Sequence, residues 1–374
     1  MRAGRLSGRI GRSETVVSGA ICPDVESWAA EHQGAESREL LAGRASVRTP
    51  PGTLEPTLLP AFTARMRHDH GRRYVVAVRD ARIVGTSGLV VLPDGQAAVE
   101  SVFDAPTLAG LPEFTHPQAR PVEHLRGGAV SLLVPWASVF NHYHWLHDSV
   151  LRLHDLIDTL PPRTSVVVPG WLRPVQVETL ALVGVDRRRL VRCTGRTTLA
   201  PETLHFATEV SVSGYHRGEA DRWLAERMRA TLGLGEPGGD RRLYLSRRHR
   251  RRRVANEDAV LALLEPLGFE AVAPERLSLR DQVALFGQAS VIVGPHGAAL
   301  HNMIHAAPGT VVVDLVGPSL VDNAYIFWNQ AQELGHDYWY LTTTALDADD
   351  PQADTVVPVD VLAATLAAAG IRSR

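Results

Sequence analysis

The sequence contains no lysine, so arginine supplies all 39 basic side chains other than histidine. It is also poor in cysteine, with only Cys22 and Cys193, which lie far apart and outside any CxxC pattern. This spacing argues against a disulfide scaffold and against a cysteine-rich zinc site. It is typical of a protein from a reducing compartment.

Long apolar runs are missing as well. No stretch of about 18 consecutive apolar residues occurs, so the sequence predicts no membrane-spanning helix. The basic N-terminal segment lacks the continuous apolar core of a signal peptide. These features predict a cytoplasmic protein, with peripheral membrane association and the oligomeric state left open.

The sequence also lacks a large excess of positive or negative side chains. The formal net charge is -2, which argues against a general nucleic-acid-binding protein, since such proteins are usually basic. The hydrophobic fraction of 45% and the charged fraction of 21% are typical of a globular protein. A length of 374 residues exceeds one ordinary core and favours at least two domains.

The hydrophobic pattern changes along the chain. Residues 1–125 are rich in proline, glycine and arginine, and their short strands between turns predict a β-rich N-terminal extension. Short β runs then alternate with helices, which predicts an α/β fold with parallel sheets. We expect two Rossmann-like domains, 126–213 and 214–374, that face a cleft. Ligands of such sheets bind beyond the carboxyl ends of the strands.

A GPHGA turn, Gly294–Ala298, follows one predicted buried strand. Gly294 and Gly297 permit a close backbone approach, and Pro295 stiffens the turn. The start of the next helix presents unpaired N–H groups, which suit an anion, and His296 can add a donor. The alternative is a tight strand-to-helix turn with a capping histidine.

An arginine-rich stretch, LYLSRRHRRRRVANE, follows another predicted strand. Arg247 and Arg248 stand at the strand end and offer paired donors that match a diphosphate. We interpret 250–253 as a solvated basic loop, so replacing Arg252 should have little effect on binding. A nucleic-acid patch is the alternative, but no aromatic residues are interleaved.

The third stretch is FNHYHWLHDSVLRLHD, which predicts a helix from near Tyr143. His144 and Asp148 are four residues apart and, with Asp155, line the stripe opposite the apolar one. Either His144 or Asp148 could take a proton from an attacking hydroxyl group. Two alternatives stay open: polar capping of a helix start, or a metal site built from His142, His144, His147 and Asp148.

Taken in this order, the three stretches resemble glycosyltransferase family 61 over roughly 128–370. Three positions depart from the family pattern: Ala299 replaces a glycine, His301 replaces a smaller residue, and Asp314 stands where glutamate is commoner. The matching residues are Asn141, His144, Trp145, Leu146 and Asp148; Tyr244, Ser246, Arg247 and Arg248; Gly294–Ala298, Leu300 and Asn302; and Pro308, Gly309 and Asp314.

The resemblance implies a GT-B fold, inversion at the anomeric carbon, and a nucleotide-sugar donor, usually UDP-linked. It implies a glycan or polysaccharide acceptor and a base formed by Asp148, His144 or both. Asp314 is assigned a ribose contact. The donor diphosphate is assigned to Ser246, Arg247, Arg248, Gly294, Pro295, His296, Gly297, Ala298 and Asn302.

We predict no metal and no cofactor beyond the nucleotide sugar. The only Asp-x-Asp stretch, Leu346–Asp350, lies in a polar segment and is interpreted as a solvated loop. The predicted function is therefore a metal-independent, inverting glycosyltransferase with no nucleic-acid partner. The alternatives are a nucleotide-sugar epimerase of similar fold and a non-catalytic nucleotide-sugar-binding protein.

Overall fold

The computed structural model describes residues 10–136, 141–154, 156–208 and 214–373. The chain forms two compact units. Unit 1 comprises Met1–Arg44 and His70–Ser213, and unit 2 comprises Ala45–Asp69 and Gly214–Arg374. The boundary between unit 1 and unit 2 after Ser213 coincides with the predicted domain boundary between 213 and 214. Residues 45–69, expected in the N-terminal extension, are instead part of unit 2.

The strands of the described residues are short and are numbered in chain order. They are β1 (Ile10–Glu14), β2 (Ile21–Cys22), β3 (Ala35–Leu41), β4 (Arg44–Val47), β5 (Arg67–His70), β6 (Arg73–Arg79), β7 (Arg82–Val84), β8 (Leu89–Val91), β9 (Ala97–Ala98), β10 (Arg120–Ser131), β11 (Ser165–Pro169), β12 (Leu190–Cys193), β13 (Thr198–Ala207), β14 (Arg241–Leu245), β15 (Phe269–Val272), β16 (Ala289–Pro295), β17 (Val311–Val316), β18 (Asp337–Thr342), β19 (Thr344–Ala345) and β20 (Thr355–Val356).

The α-helices of the described residues are also numbered in chain order. They are α1 (Val25–Glu31), α2 (Pro60–Thr63), α3 (Ala105–Gly110), α4 (Pro112–Thr115), α5 (His142–His144), α6 (Pro174–Leu182), α7 (Gly218–Thr231), α8 (Glu257–Leu264), α9 (Leu279–Phe286), α10 (Tyr325–Leu334) and α11 (Val359–Ala368). A π-helical turn spans Trp145–Ser149. The 3-10 segments are Val99–Val102, Val150–Leu153, Arg187–Arg189, Glu265–Leu267, Pro274–Arg276, Ala298–His305 and Pro318–Asn323.

Unit 1 contains an 11-stranded sheet in which parallel and antiparallel strands are joined. β10 pairs in parallel with β11 and β13, and β11 pairs in parallel with β12. β13 pairs antiparallel with β6 on its other side, so early strands of the chain extend the same sheet. Because β10 runs across the predicted boundary at 125, the first 125 residues do not form a separate extension.

Unit 2 contains a five-stranded sheet in the order β15-β14-β16-β17-β18, with every neighbouring pair parallel. Its central strands are nearly continuous runs of Val, Ile and Leu, as expected for strands covered on both faces. Val293, Val313 and Leu341 lie in one buried core with Leu362 of α11. The predicted α/β class is confirmed, and the GT-B arrangement stays a prediction.

The segment 45–69 is built into unit 2 beside β18. The N–H of Gly52 donates to the carbonyl of Tyr338 at 2.8 Å, and the N–H of Tyr340 donates to the carbonyl of Gly52 at 2.9 Å. The fully buried ring of Phe62 lies 4.8 Å from that of Tyr340. A side chain at Gly52 would collide with the Trp339 ring. Glycine is thus required where this segment crosses the sheet edge.

No helix in the described parts of the chain has the length and apolar character needed to cross a membrane.

Candidate functional site

The strand order of unit 2 identifies one edge of the sheet as the ligand-binding edge. In chain order the five strands lie 2-1-3-4-5, so the order reverses between β14 and β16. Loops after these two strands leave the sheet in opposite directions and open a crevice at their carboxyl ends, where doubly wound folds bind ligands. The arginine-rich stretch follows β14 and the GPHGA turn ends β16, so both predicted motifs flank this switch point.

The two turns are in direct contact. Nη1 of Arg247 donates to the carbonyl oxygen of His296 at 3.2 Å. A Cβ at Gly297 would collide with Nη1 of Arg247, and one at Gly294 would lie 2.7 Å from the Cβ of Leu245. Glycine at both positions therefore allows the close approach that places the arginine against the turn.

Arg247 is a desolvated cation. Burial, and secondly the nearby Arg252, lower the pKa of its guanidinium to about 10, so it stays protonated at neutral pH. Its Nε is buried and has no hydrogen-bond partner among the described residues. A buried, charged donor without a partner is costly, and an anion bound beside it would offset that cost.

Arg248, predicted to bind the diphosphate, is instead paired with carboxylates of α8. Its Nε donates to Glu257 at 2.7 Å and its Nη2 to Asp258 at 2.5 Å, while about half of the side chain is exposed. These ion pairs fasten the arginine to the first turn of α8. A diphosphate contact from Arg248 would require both to break. Ser246 accepts a hydrogen bond from the N–H of Arg248 at 3.3 Å, which shapes the turn.

Arg252, interpreted from the sequence as part of a solvated loop, is partly buried. Its backbone has a φ of 56°, a left-handed conformation that costs free energy in a non-glycine residue and is often found at binding sites. Its buried Nε has no partner among the described residues, and burial lowers the pKa of its guanidinium. Arg252 is the binding candidate that the sequence reasoning missed.

A cavity of about 270 Å³ lies beside the carboxyl ends of β16 and β17. Pro295, His296 and Arg252 are among the residues that line it. The loop between β19 and β20 also lines it, including Asp347–Asp350, which are exposed as expected for the predicted solvated loop. The lining of the cavity thus contains both basic and acidic residues of unit 2.

His296 is held by a buried carboxylate. Its Nδ1 lies 2.7 Å from Oδ2 of Asp314, and the hydroxyl of Tyr338 donates to the same oxygen at 2.8 Å. Burial, then the adjacent Asp314, holds the pKa of Tyr338 well above its ordinary value, so the hydroxyl remains a donor. With Nδ1 fixed on Asp314, His296 has Nε2 available for a ligand.

This arrangement changes the role expected of Asp314. Its side chain is fully buried behind His296, so the predicted contact with a ribose would require the carboxylate to become exposed. In the structure Asp314 positions His296 instead. The side chain of His296 is directed to Asp314 rather than to the following helix, which does not fit the capping-histidine alternative.

The segment after the turn is a 3-10 helix rather than the expected α-helix. It begins at Ala298, and the N–H of Leu300 donates to the carbonyl of Gly297 at 2.9 Å. Asn302, predicted to bind the diphosphate, is buried and donates from Nδ2 to Gln282 of α9 at 3.2 Å. Asn302 therefore fastens this helix to its neighbour.

The histidine and aspartate of the third stretch do meet in unit 1. Nδ1 of His144 lies 2.7 Å from Oδ2 of Asp148, which also accepts a hydrogen bond from Nε1 of Trp136 at 2.5 Å. Asn141 caps the helix start by accepting from the N–H groups of Tyr143 and His144. The spacing of four residues thus produces the pair that the sequence predicted.

The two members of this pair differ in exposure. The Asp148 side chain is fully buried, whereas 25% of the His144 side chain is exposed. The regular helix expected here is interrupted by the π-helical turn Trp145–Ser149, a feature frequent at functional sites. Asp148 consequently lies inside with the apolar residues, and only His144 is accessible. Asp155 lies outside the described residues.

The alternative metal site in this stretch was expected to use four residues, and they do not come together as one group of ligands. His142, His144, His147 and Asp148 do not bring three ligand atoms within 4.8 Å of one another among the described residues. A site of that composition would need at least three such ligands.

Comparison with known proteins matches a region that includes His144, Asp148, the arginine-rich stretch and the GPHGA turn. Residues 142–313 match a family model described as Glycosyltransferase 61. The chain is 28% identical to the xylan glycosyltransferase MUCI21 of Arabidopsis thaliana over 123 residues, which is 32% of this chain and 25% of that protein. The match thus spans about a quarter of the length of this curated relative. Asp314 lies one residue beyond the family match.

We expect the two partly buried arginines to bind a diphosphate and the exposed one to be dispensable. Arg247→Ala and Arg252→Ala should each weaken the binding of inorganic pyrophosphate by about 1.5–3 kcal/mol, the value of a hydrogen bond to a charged group. Arg251→Ala, an exposed residue of the same loop, is the matched control. Titration calorimetry measures the affinities. Equal losses for all three variants would show that the loop acts as a diffuse basic patch.

Proposed function

Because the chain belongs to glycosyltransferase family 61, we propose that it transfers a sugar from a nucleotide-sugar donor to a hydroxyl group of a glycan. The observation that carries this proposal is the contact between Arg247 and the GPHGA turn at the switch point of the unit 2 sheet. This contact places a desolvated guanidinium group next to a glycine-containing turn that a ligand can approach closely. Both suit a nucleoside diphosphate.

The donor diphosphate binds between the turn and the two partly buried arginines in this proposal. Arg247 and Arg252 each have an unpaired buried Nε among the described residues. A doubly protonated His296 would donate from Nε2 to a phosphate oxygen while Nδ1 stays on Asp314. These donors stabilise the charge that develops on the leaving nucleoside diphosphate. UDP is the nucleotide we propose, following the family resemblance.

His144 acts as the general base, and Asp148 positions it. Trp136 can only donate to Oδ2 of Asp148, so the aspartate is an acceptor and Nδ1 of His144 carries the hydrogen of their bond. The remaining nitrogen, Nε2, then has a lone pair for the proton of an acceptor hydroxyl. As the hydroxyl oxygen bonds to the anomeric carbon, the bond to the phosphate oxygen breaks and the configuration inverts.

We base the proposed class of acceptor on the name of the Arabidopsis thaliana relative. That protein is named a xylan glycosyltransferase, and we propose a polysaccharide or related glycan as the acceptor here. A panel of UDP-sugars incubated with xylo-oligosaccharides tests this proposal by mass spectrometry of the products. An added sugar on the acceptor supports it. Interconversion of the free UDP-sugar without any acceptor product would instead indicate an epimerase.

Transfer should be independent of added metal. Arg247, Arg252 and His296 supply fixed donors for the diphosphate, so a divalent cation is not needed to neutralise it. Turnover in the same assay should survive an excess of EDTA. Complete loss on chelation, with recovery on addition of manganese or magnesium, would contradict this proposal. Asp347, Asp349 and Asp350 line the cavity and are the type of residue that binds divalent cations, so chelation is a stringent test of metal independence.

Replacing either member of the His144–Asp148 pair should reduce turnover without weakening donor binding. We expect His144→Ala and Asp148→Asn to reduce the rate by about 10²–10⁴-fold, the usual contribution of a general base. Because the pair works as a unit, the double variant should be little slower than either single variant. Steady-state rates and UDP titrations give the two measurements.

Two further variants keep this prediction decisive. His116→Ala removes an exposed histidine of unit 1 and should leave the rate unchanged. Trp136→Phe removes one hydrogen bond to the buried Asp148, so it tests the positioning role even if Asp148→Asn does not fold. Near wild-type turnover by folded His144→Ala would place the base elsewhere.

A further inference from the structure

The sheet of unit 1 has a switch point of its own, which the proposed donor site does not use. Strands β12, β11, β10 and β13 are parallel neighbours in that order, so the direction of the chain order reverses between β10 and β13. Ligands of doubly wound sheets bind beyond the carboxyl ends of the strands at such a point. The segment that follows β10 carries the His144–Asp148 pair. A second ligand is therefore expected at this edge, beside the proposed base.

Two tryptophans follow neighbouring strands at this edge. Trp136 comes after β10 and Trp171 comes after β11. The N–H of Leu132 donates to the carbonyl of Val167 at 2.9 Å, so the two strands are paired up to their carboxyl ends. Trp171 is 54% exposed, and Trp136 is partly exposed. Large apolar side chains that are exposed at a ligand-binding edge indicate a binding surface, since ligand sites are lined mainly by apolar and aromatic groups.

The indole ring of Trp136 is held in a fixed orientation. It stacks on the ring of Phe103, with the ring centres 4.3 Å apart and an angle of 16° between the planes. Its Nε1 donates to Oδ2 of Asp148. The guanidinium carbon of Arg152 lies 5.6 Å from the centre of the Phe103 ring. Because the indole is already ordered, little conformational entropy is lost when a ligand binds against it.

Phe103 supports this stack with a strained backbone. Its φ of 82° and ψ of -56° are those of a rare γ-turn that is unfavourable for a residue with a side chain. Conformations of this kind persist only where the surrounding structure imposes them, and they cluster at binding sites and active sites. The strain is thus a second observation, independent of exposure, that points to a ligand at the aromatic stack.

Trp136 also lies next to the proposed base. The centres of its ring and of the His144 ring are 6.4 Å apart, with an angle of 67° between the planes. Both side chains contact the same oxygen of Asp148, which fixes their relative position. A ring-shaped ligand in contact with the indole would therefore lie close to the imidazole.

We propose that Trp136 and Trp171 bind the acceptor glycan by stacking against the faces of its pyranose rings. This inference rests on the proposed function and names two residues that determine the choice of acceptor. In a β-xylopyranose ring the hydroxyl groups lie around the rim, and C–H groups point to the two faces. Such weakly positive C–H groups match the negative face of an aromatic ring. Trp136 contacts the sugar that reacts at His144, and Trp171 contacts another sugar of the same chain.

Paired variants separate stacking from a structural role. Titration calorimetry measures the affinity of the full chain for xylohexaose without a donor. Trp136→Leu and Trp171→Ala remove the aromatic face, and each should weaken binding by about fivefold to tenfold, the scale of one aromatic contact. Trp136→Phe and Trp171→Phe keep an aromatic ring and should bind nearly as tightly as wild type. The affinity for UDP should be unchanged in all four variants.

Steady-state kinetics add a second readout at Trp136. Both Trp136 variants lose the hydrogen bond to Asp148, so kcat should fall in both. The KM for the acceptor should rise only in Trp136→Leu, because only that variant lacks an aromatic ring. A tryptophan that merely supports the fold would not produce this split between kcat and KM.

Ile10→Ala is the matched control. Ile10 is an exposed apolar residue of unit 1, with 68% of its surface accessible, and it pairs with Glu123 near the start of β10. It therefore lies toward the opposite end of that strand from the tryptophans, and its replacement should leave the affinity for xylohexaose unchanged.

Two results would overturn the inference. One is equal affinity for xylohexaose in the two members of either pair, Trp136→Leu with Trp136→Phe or Trp171→Ala with Trp171→Phe. The other is the absence of xylohexaose binding to the wild-type protein. The proposed function is decided separately, since transfer from a UDP-sugar to any glycan supports it wherever the acceptor binds. If Trp136→Leu does not fold, the Trp171 pair decides the inference.

Discussion

The hydrogen bond from Arg247 to the carbonyl of His296 is the interaction on which the candidate donor site depends. It joins the ends of β14 and β16, the two strands between which the sheet order reverses. A Cβ at Gly294 would lie too close to Leu245 of β14, and one at Gly297 would displace the Arg247 guanidinium. The consequence is a cation removed from water beside a rigid turn, and that combination favours an anion far more than an exposed arginine does.

The same physical arrangement supports both candidate histidines: a buried carboxylate holds Nδ1 of the ring. Asp314 holds His296 in unit 2, and Asp148 holds His144 in unit 1. In both cases a second donor, Tyr338 or the indole of Trp136, fixes the carboxylate as an acceptor. The chemistry we propose differs, since one imidazole lines the cavity in unit 2 and the other is partly exposed.

The GPHGA turn and the His144–Asp148 pair could be predicted from the sequence because each is formed by residues that are close together in the chain. A GPHGA turn after a run of β-branched residues can be recognised without knowledge of tertiary contacts. The same is true of a His and an Asp four residues apart. The position of Arg252 could not be predicted, because it depends on the pairing of its neighbour Arg253 with Asp354, which lies 101 residues away. Burial of Asp314 likewise depends on neighbouring strands. The family match over residues 142–313 confirmed the resemblance but does not bear on the roles of individual residues.

A crystal structure of the chain with UDP bound would test the central claim most directly. The diphosphate should lie at the carboxyl ends of β14 and β16, with its oxygens within hydrogen-bonding distance of the Arg247 and Arg252 guanidinium groups. Nε2 of His296 should face the same phosphates. A diphosphate bound at another edge of the sheet, with Arg247 contacting only the carbonyl of His296, would contradict it.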